Sequence, residues 1–228
     1  MREVPKKLFR YRPLEHTSKD LEYMRQTLLD DTLYFSNPND FNDPFDFKPR
    51  IIAGQTQADL NIEKNNMKAS LYLDNPSLSD KELEQLSEEW LLHIKHIVDT
   101  GQIDLTDEYS KYVRKVGVCC FSECNHNILM WSHYASSHKG YCLEFSTKDP
   151  FFQDLARPLE YERFRPVLKM FPKTEGADEL RRSITTKATD WEYEREWRVL
   201  TQYTGSLSFP PELLKGIIFG CEIDTEHE

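Results

Sequence analysis

Near the C-terminal end, charged residues at alternate positions of segment 191–200 could do chemistry together. They are Glu192, Glu194, Glu196 and Arg198. A β-strand places alternate residues on one face, so a strand here would set the three carboxylates about 7 Å apart along one side. Like charges that close raise each other's pKa unless a cation, a metal or a hydrogen-bonding ligand intervenes. The row therefore indicates either a site centred on Glu194 and Glu196 or a solvated sheet face neutralised by Arg198.

A second set of candidates lies in the loop 37–49, which is dense in Asn, Asp and Pro. The prolines limit the backbone, and Asn and Asp side chains can bond neighbouring backbone amides. Phe41 and Phe45 are predicted to be buried and to pin the loop. A loop held in this way keeps Asn42 and Asp43 still, as a binding site needs. A self-bonded corner without a ligand would have the same composition.

The segment 127–135, NILMWSHYA, has helical spacing and supplies His133 and Tyr134 as further binding candidates. A histidine between two apolar stripes is more often a hydrogen-bonded structural residue than an acid or a base. The nearby Cys120, Cys124 and His126 do not have the spacing of a standard zinc module. We therefore expect no metal.

Short strands and a few helices must position these residues. The pattern predicts strands over 7–13, 32–36, 116–121, 140–145, 193–201 and 215–219, and helices after Thr17, over 128–135 and over 177–189. Residues 55–115 are polar and helix-forming, with an interruption at Asn75 and a capping box formed by Ser79 and Glu82. Because strands and helices do not alternate regularly, we predict an α+β fold with a mixed or antiparallel sheet. It would be one domain, 1–228, with a helical insertion at 55–115.

Composition narrows the class of protein. The chain has 228 residues and a net charge of -10, which argues against non-specific nucleic-acid binding. Five cysteines, two of them adjacent, fit a secreted disulfide framework poorly. The N-terminal residues lack an apolar signal core, and no apolar stretch approaches bilayer-spanning length. We expect a cytoplasmic protein with no membrane association.

Three parts of the sequence together resemble a large bacterial family known only as a domain of unknown function. They are LYFS at 33–36 leading into FNDPFD at 41–46, CFS at 120–122 followed by WSHYA at 131–135, and WEYEREWR at 191–198. Members of that family occur partly in mobile-element and phage-defence settings. The resemblance implies a family and a setting, a phage-defence or toxin system, but no activity.

The order of the motifs also resembles the ADP-ribosyltransferase fold in its arginine–serine–glutamate variant. Arg10 or Arg12 would match the arginine on the first strand of that fold. The segment Tyr34, Phe35 and Ser36 would match its serine strand, although the usual Ser-Thr-Ser is absent. The Glu-x-Glu at 194–196 would match its late strand.

This second resemblance implies NAD as the substrate and assigns roles to residues. Glu196 would stabilise the cationic ribose, and Glu194 would orient an unknown protein or nucleic-acid acceptor. Arg10 or Arg12 would grip the pyrophosphate. Tyr34 or Phe35 would stack against the nicotinamide ring.

Two other functions fit the same residues. One is a metal-dependent nuclease, in which Asp43, Asp46, Glu144 and Glu196 would gather Mg²⁺. The other is a non-enzymatic sensor or antitoxin-like module that binds a partner through the loop and the helical insertion. Whether Arg10, Arg12 and Ser36 face Glu196 separates the transferase from these alternatives.

Overall fold

The computed structural model of the chain describes residues 2–15, 18–52, 56–99, 109–111, 113–169 and 176–223. Its strands are β1 Lys7–Arg12, β2 Thr32–Phe35, β3 Arg50–Ile52, β4 Gly117–Ser122, β5 Tyr141–Ser146, β6 Ala156–Pro158, β7 Glu160–Glu162, β8 Val167–Lys169, β9 Thr186–Ala188, β10 Glu196–Thr201, β11 Gly205–Ser208 and β12 Leu214–Phe219. Its helices are α1 Ser18–Leu29, α2 Gln57–Asp74, α3 Asp80–Asp99, α4 Ile128–Tyr134, α5 Pro150–Gln153 and α6 Gly176–Thr185. Three 3-10 helices cover Pro38–Asp40, Thr189–Glu194 and Pro211–Leu213.

The largest sheet has six strands in the order β12-β5-β1-β4-β10-β6. Every neighbouring pair in it is antiparallel. Smaller pairs are β2 with β11, antiparallel, and β3 with β8 and β7 with β9, both parallel. The predicted α+β class with a mixed or antiparallel sheet is confirmed.

The chain divides into two compact units. One contains residues 1–47, 112–164 and 185–228 and holds the six-stranded sheet. The other contains residues 48–111 and 165–184, with α2, α3, β3 and β8. In this second unit Lys64 bonds Glu88 at 2.6 Å, which ties α2 to α3.

The capping box predicted for α3 is present. The backbone N–H of Ser79 donates to Glu82 at 2.8 Å, and the N–H of Glu82 donates to the Ser79 hydroxyl at 3.4 Å. This reciprocal pair satisfies two donors that a helix N-terminus otherwise leaves open. The predicted cap of α1 at Thr17 lies outside the described residues.

Strand register gives the six-stranded sheet two distinct faces. Phe9 of β1 pairs with Ser122 of β4, which in turn pairs with Glu196 of β10, so these three residues lie on one face. Arg198 pairs with Cys120 on that same face. The neighbours of these residues along each strand point to the other face, because side chains alternate in a strand.

Each face carries its own apolar core. On the Glu196 face, α4 packs Met130, Trp131 and Ala135 against Phe9 and Tyr11 of β1. The larger core covers the opposite face and includes Leu8, Leu33, Phe35, Cys119, Leu143, Phe145, Phe152, Trp197, Val199, Phe209 and Leu213. The sheet is therefore a buried layer, and the charged groups on its Glu196 face are enclosed by protein.

Segment 191–200 differs from its prediction. We expected one strand, but residues Thr189–Glu194 form a 3-10 helix and the strand begins at Glu196. Between them Arg195 adopts a left-handed backbone conformation with φ 45°. Strand alternation fails across such a turn, and Glu192 is exposed while Glu194 is buried. Of the two alternatives for this segment, the solvated sheet face is wrong, because Glu194, Glu196 and Arg198 are all buried.

In the part of the chain that the structure describes, no helix combines the length and apolar character needed to cross a bilayer.

The larger core yields a stability prediction for Phe145→Ala. Phe145 has no solvent exposure, and its ring lies 5.5 Å from that of Phe121 and 5.4 Å from that of Phe209. Removing the ring leaves a cavity, so the free energy of unfolding should fall by about 3–5 kcal/mol in urea titrations. Leu29→Ala, at a position 73% exposed, is the control and should change it by less than about 0.5 kcal/mol. Equal effects of the two substitutions would contradict this placement of the core.

Candidate functional site

A cavity of about 300 Å³ opens on the Glu196 face of the sheet. The 3-10 helix Thr189–Glu194, the strands β1, β4, β9 and β10, the helix α4 and the loop 37–49 all contribute to its wall. Its lining residues are Phe9, Tyr11, Asp40, Phe41, Asn42, Asp43, Asp46, Cys120, Phe121, Ser122, Met130, Tyr134, Lys187, Trp191, Glu194 and Glu196. All of them belong to the unit that contains the sheet.

Lys187 holds the two candidate glutamates together. Its Nζ donates to Glu194 Oε2 at 2.5 Å and to Glu196 Oε2 at 2.9 Å. All three side chains are at least nine-tenths buried. Burial by itself would lower the pKa of Lys187, but the charges of Glu196 and Glu194 outweigh it and raise that pKa. Lys187 is therefore a fixed ammonium between two carboxyl groups.

Arg198 holds Glu196 from the other side. Its guanidinium forms a two-pronged contact with Asp46, Nη1 to Oδ1 at 2.9 Å and Nη2 to Oδ2 at 2.5 Å, and its Nε donates to Glu196 Oε1 at 2.7 Å. Arg198 has no solvent exposure. We call Asp46, Arg198, Glu196, Lys187 and Glu194 the buried charge network.

Aromatic rings surround both cations of the network. The ring of Phe47 lies 4.7 Å from the Arg198 guanidinium, and that of Phe41 lies 5.7 Å from it. The ring of Trp191 lies 5.1 Å from the Lys187 ammonium. Such contacts stabilise a cation that has left water.

The two glutamates have pKa values driven in opposite directions. Burial and then the neighbouring Glu196 charge raise the pKa of Glu194 to about 7, against the opposing effects of Lys187 and a 2.6 Å hydrogen bond donated by Tyr134. For Glu196, burial is outweighed by Arg198 and Lys187, which hold its pKa well below the usual range. Glu196 is thus a permanent carboxylate, whereas Glu194 can gain and lose a proton near neutral pH.

The loop 37–49 reaches the cavity, but a different phenylalanine anchors it. Phe45 was predicted to be buried and is 45% exposed, so that prediction is wrong. Phe47 is buried instead, and its ring packs on that of Phe41 at 5.6 Å. Both predicted loop residues, Asn42 and Asp43, line the cavity.

Of the two candidate residues on α4, Tyr134 lies at the cavity and His133 does not. Tyr134 lines the cavity and bonds Glu194. His133 is exposed and lies beside the rings of Trp191 and Tyr193, each 6.4 Å from it. His133 therefore contacts the outer side of the cavity wall and does not line the cavity.

The residues predicted to bind NAD phosphates and nicotinamide lie on the opposite face of the sheet. Arg10 contacts Cys119, whose pairing partner Val199 points away from the Glu196 face. Together with Arg12 and Tyr34 it lines a separate pocket of only about 10 Å³.

The other two residues of the predicted serine strand do not reach the cavity either. Phe35 is fully buried in the larger core, and Ser36 bridges to Val118 through backbone hydrogen bonds. The structure therefore does not bring any of these predicted cofactor residues together with Glu196.

Sequence reasoning missed Lys187 as the cation between the glutamates, and it weighed Asp46 only as a metal ligand. Lys187 falls inside a segment predicted as helix, 177–189, which ends at Thr185 in the structure. The strand β9 that carries Lys187 has only three residues, too few to show an alternating pattern. Asp46 is 152 positions from Arg198, so no local signal connects them.

The first prediction from this site concerns Arg198→Met. The substitution removes the cation that Asp46 and Glu196 share and leaves buried carboxylates uncompensated. The free energy of unfolding should fall by about 3–5 kcal/mol in urea titrations. The control is Arg25→Met, which breaks an exposed pair with Glu22 and should leave the midpoint almost unchanged. Similar midpoints for both variants would contradict the role given to Arg198.

The second prediction is a pH dependence due to Glu194. Its pKa is raised from 4.5 to about 7 on folding, so the folded state holds the proton more tightly. The resulting stabilisation, up to about 3 kcal/mol, is fully present below pH 4.5 and is lost as pH rises through about 7. We therefore expect the free energy of unfolding of wild type minus that of Glu194→Gln to fall over this window. A flat difference would contradict the assigned pKa.

Comparisons with known proteins give a match to one family model over part of the chain and no activity. No curated protein and no solved structure matches the chain. The segment that does match a family model, residues 130–199, contains Tyr134, Lys187, Glu194, Glu196 and Arg198, whereas the loop 37–49 lies outside it. Over residues 130–199 the chain matches the model of a family described as protein of unknown function, DUF2971, which confirms the predicted resemblance to a family of unknown function.

Proposed function

We propose that the protein is an enzyme that transfers a ribosyl group from a nucleoside-like donor, with NAD as the donor to test first. Glu194 is the general base, and Glu196 stabilises positive charge on the sugar. One observation carries the proposal: two adjacent carboxyl groups at a cavity wall have pKa values pushed apart, one to about 7 and one well below its usual range. Such a division assigns one group to proton transfer and the other to permanent charge.

The chemistry of the two groups fits ribosyl transfer. Cleavage of the bond between ribose C1′ and the nicotinamide nitrogen builds positive charge on the sugar, and the bonding electrons leave with neutral nicotinamide. A permanent carboxylate such as Glu196 stabilises that charge. An acceptor hydroxyl or water then forms the new bond to C1′, and ionised Glu194 takes its proton. Lys187 fixes the relative position of both groups.

The size and walls of the cavity fit one nucleoside-sized group. Its volume of about 300 Å³ is at the lower end of the ~300–1,000 Å³ typical of ligand pockets. Phe9, Phe41 and Trp191 provide aromatic surface for a planar ring. Arg10 and Arg12 line a different pocket, so they are not placed to bind the phosphates of NAD at this cavity. We expect the phosphates to extend beyond it.

A second function, binding without turnover, has a specific observation in its favour. Glu196 is engaged by Arg198, Lys187 and a hydrogen bond from the Cys120 thiol. A network satisfied to this degree also suits a rigid wall that only recognises a ligand. The sensor or antitoxin-like module predicted from the sequence would use the cavity in this way.

A metal-dependent nuclease is not proposed. Asp46 and Glu196 are already paired with Arg198, and Glu144 is paired with Lys7. Within the described ranges, no three His, Cys, Asp or Glu side chains gather closely enough to hold a metal ion.

The activity is tested by Glu194→Gln with NAD as the donor and release of nicotinamide as the measurement. The amide keeps the size of the side chain but cannot accept the proton. We expect kcat/KM to fall by about 10²–10⁴-fold, as for loss of a general base. Glu192→Gln is the matched control, because Glu192 is exposed two residues away and should retain wild-type rates.

The pH profile provides an independent check of the same assignment. A general base acts only when ionised, so wild-type kcat/KM should rise with pH through about 7. This rise should be absent from any residual activity of Glu194→Gln. Equal rates in wild type and Glu194→Gln, or no nicotinamide release by wild type at any pH, would overturn the enzymatic proposal in favour of binding alone.

A further inference from the structure

One residue that lines the cavity has a buried polar atom with no hydrogen-bond partner among the described residues. The atom is Oδ2 of Asp43, a residue that is 5% exposed and lines the cavity. The rest of the side chain is fixed, because Oδ1 accepts a hydrogen bond from the backbone N–H of Phe45 at 2.8 Å. Asp43 therefore holds an acceptor in place without using it.

An unused buried acceptor has a free-energy cost that a ligand can remove. Leaving a buried polar atom without a hydrogen bond costs about 1–3 kcal/mol, and more when the group is charged. Native proteins keep few such atoms, and those they keep call for an explanation. Asp46 differs from Asp43 in this respect, because both of its carboxylate oxygens accept hydrogen bonds from Arg198. At Asp43 the missing partner would be a donor that enters the cavity.

The charge of the cavity wall determines which sign of charge a ligand carrying that donor should have. Besides Asp43, the lining includes four more acidic side chains and one cation, Lys187. The four are Asp40, Asp46, Glu194 and Glu196. Arg198, behind the wall, compensates Asp46 and Glu196. Even with Glu194 protonated, the acids outnumber the cations, which favours a positively charged ligand and disfavours an anionic one.

The aromatic side chains that line the cavity favour a planar ligand. Phe41, Trp191 and Phe9 line the same cavity as Asp43, and aromatic faces attract planar cations in particular. Aliphatic ammonium groups would gain the charge interaction but less of the ring contact.

We propose that Asp43 is the specificity residue of the cavity and that its Oδ2 accepts a hydrogen bond from an N–H group of a planar organic cation. A pyridinium carboxamide is the simplest member of this class. The inference deepens the proposed function, on which it rests for the choice of cavity, by naming the end of the substrate that enters. Phosphate groups of such a substrate remain outside the acidic wall.

The test is calorimetric titration of three small probes of one shape and different charge. N-methylnicotinamide, methylated on the ring nitrogen to give 1-methylpyridinium-3-carboxamide, is cationic with a carboxamide; nicotinamide is neutral, and nicotinate is anionic without an N–H donor. Wild type should bind N-methylnicotinamide at least about tenfold more tightly than nicotinamide, with nicotinate weakest. Nicotinate binding as tightly as N-methylnicotinamide, or no binding of any probe at millimolar concentration, would overturn the proposal.

Asp43→Asn is the decisive variant. Its amide oxygen can still accept from the Phe45 N–H, so the loop should fold, but an NH₂ group replaces Oδ2 and repels the donor. Affinity for N-methylnicotinamide should fall about 10- to 100-fold, the loss expected for one hydrogen bond to a charged group. Glu192→Gln is the control, since it removes one negative charge from an exposed residue that does not line the cavity and should cost less than about threefold. Equal losses in both variants would overturn the role of Asp43.

These measurements separate this inference from the proposed function. Binding needs no turnover, so loss of probe affinity in Asp43→Asn supports the inference even where NAD is not consumed. Conversely, NAD turnover that depends on Glu194 but is unchanged in KM by Asp43→Asn would retain the enzyme and overturn the role of Asp43.

Discussion

A single guanidinium with no solvent exposure organises this protein. Arg198 is buried in the six-stranded sheet, and a buried charge is tolerated only where it is paired and hydrogen-bonded. Its partners come from β10 itself, through Glu196, and from the loop 37–49, through Asp46. The loop therefore has to close over the sheet, and Phe47 and Phe41 cover the guanidinium when it does. The cavity wall is a consequence of satisfying Arg198.

The composition of the buried charge network explains why the pKa of one carboxyl group is raised. Three acids, Asp46, Glu194 and Glu196, share two cations, Arg198 and Lys187. Glu196 has both cations beside it, whereas Glu194 has only Lys187, so the unmatched negative charge falls on Glu194. A proton near neutral pH is the least costly way to balance it, against the opposing effect of the hydrogen bond that Tyr134 donates to Glu194.

Asp43 differs from the network in a way that matters for ligands. Groups in the network satisfy one another, so they have little hydrogen-bonding capacity left for a ligand. Asp43 lines the same cavity, and its Oδ2 has no hydrogen-bond partner in the described parts of the chain. Proton transfer and ligand selection would then belong to two different parts of one wall: Glu194 on the sheet side and Asp43 on the loop side.

By itself the sequence determined what local periodicity and composition control. It predicted the α+β class, most of the strands in the six-stranded sheet, the cap at Ser79, and Glu194 and Glu196 as neighbours at a site. Only the tertiary structure decided which charged residues are buried, which residues they pair with, and on which face of the sheet they lie. The resemblance to the ADP-ribosyltransferase fold required Arg10 or Arg12 to face Glu196, but the register of β1, β4 and β10 sets both arginines on the other side of the sheet. Lys187 and Asp46 reach the glutamates and Arg198 through long-range packing, and a spacing of two residues cannot report which face of a sheet will be enclosed.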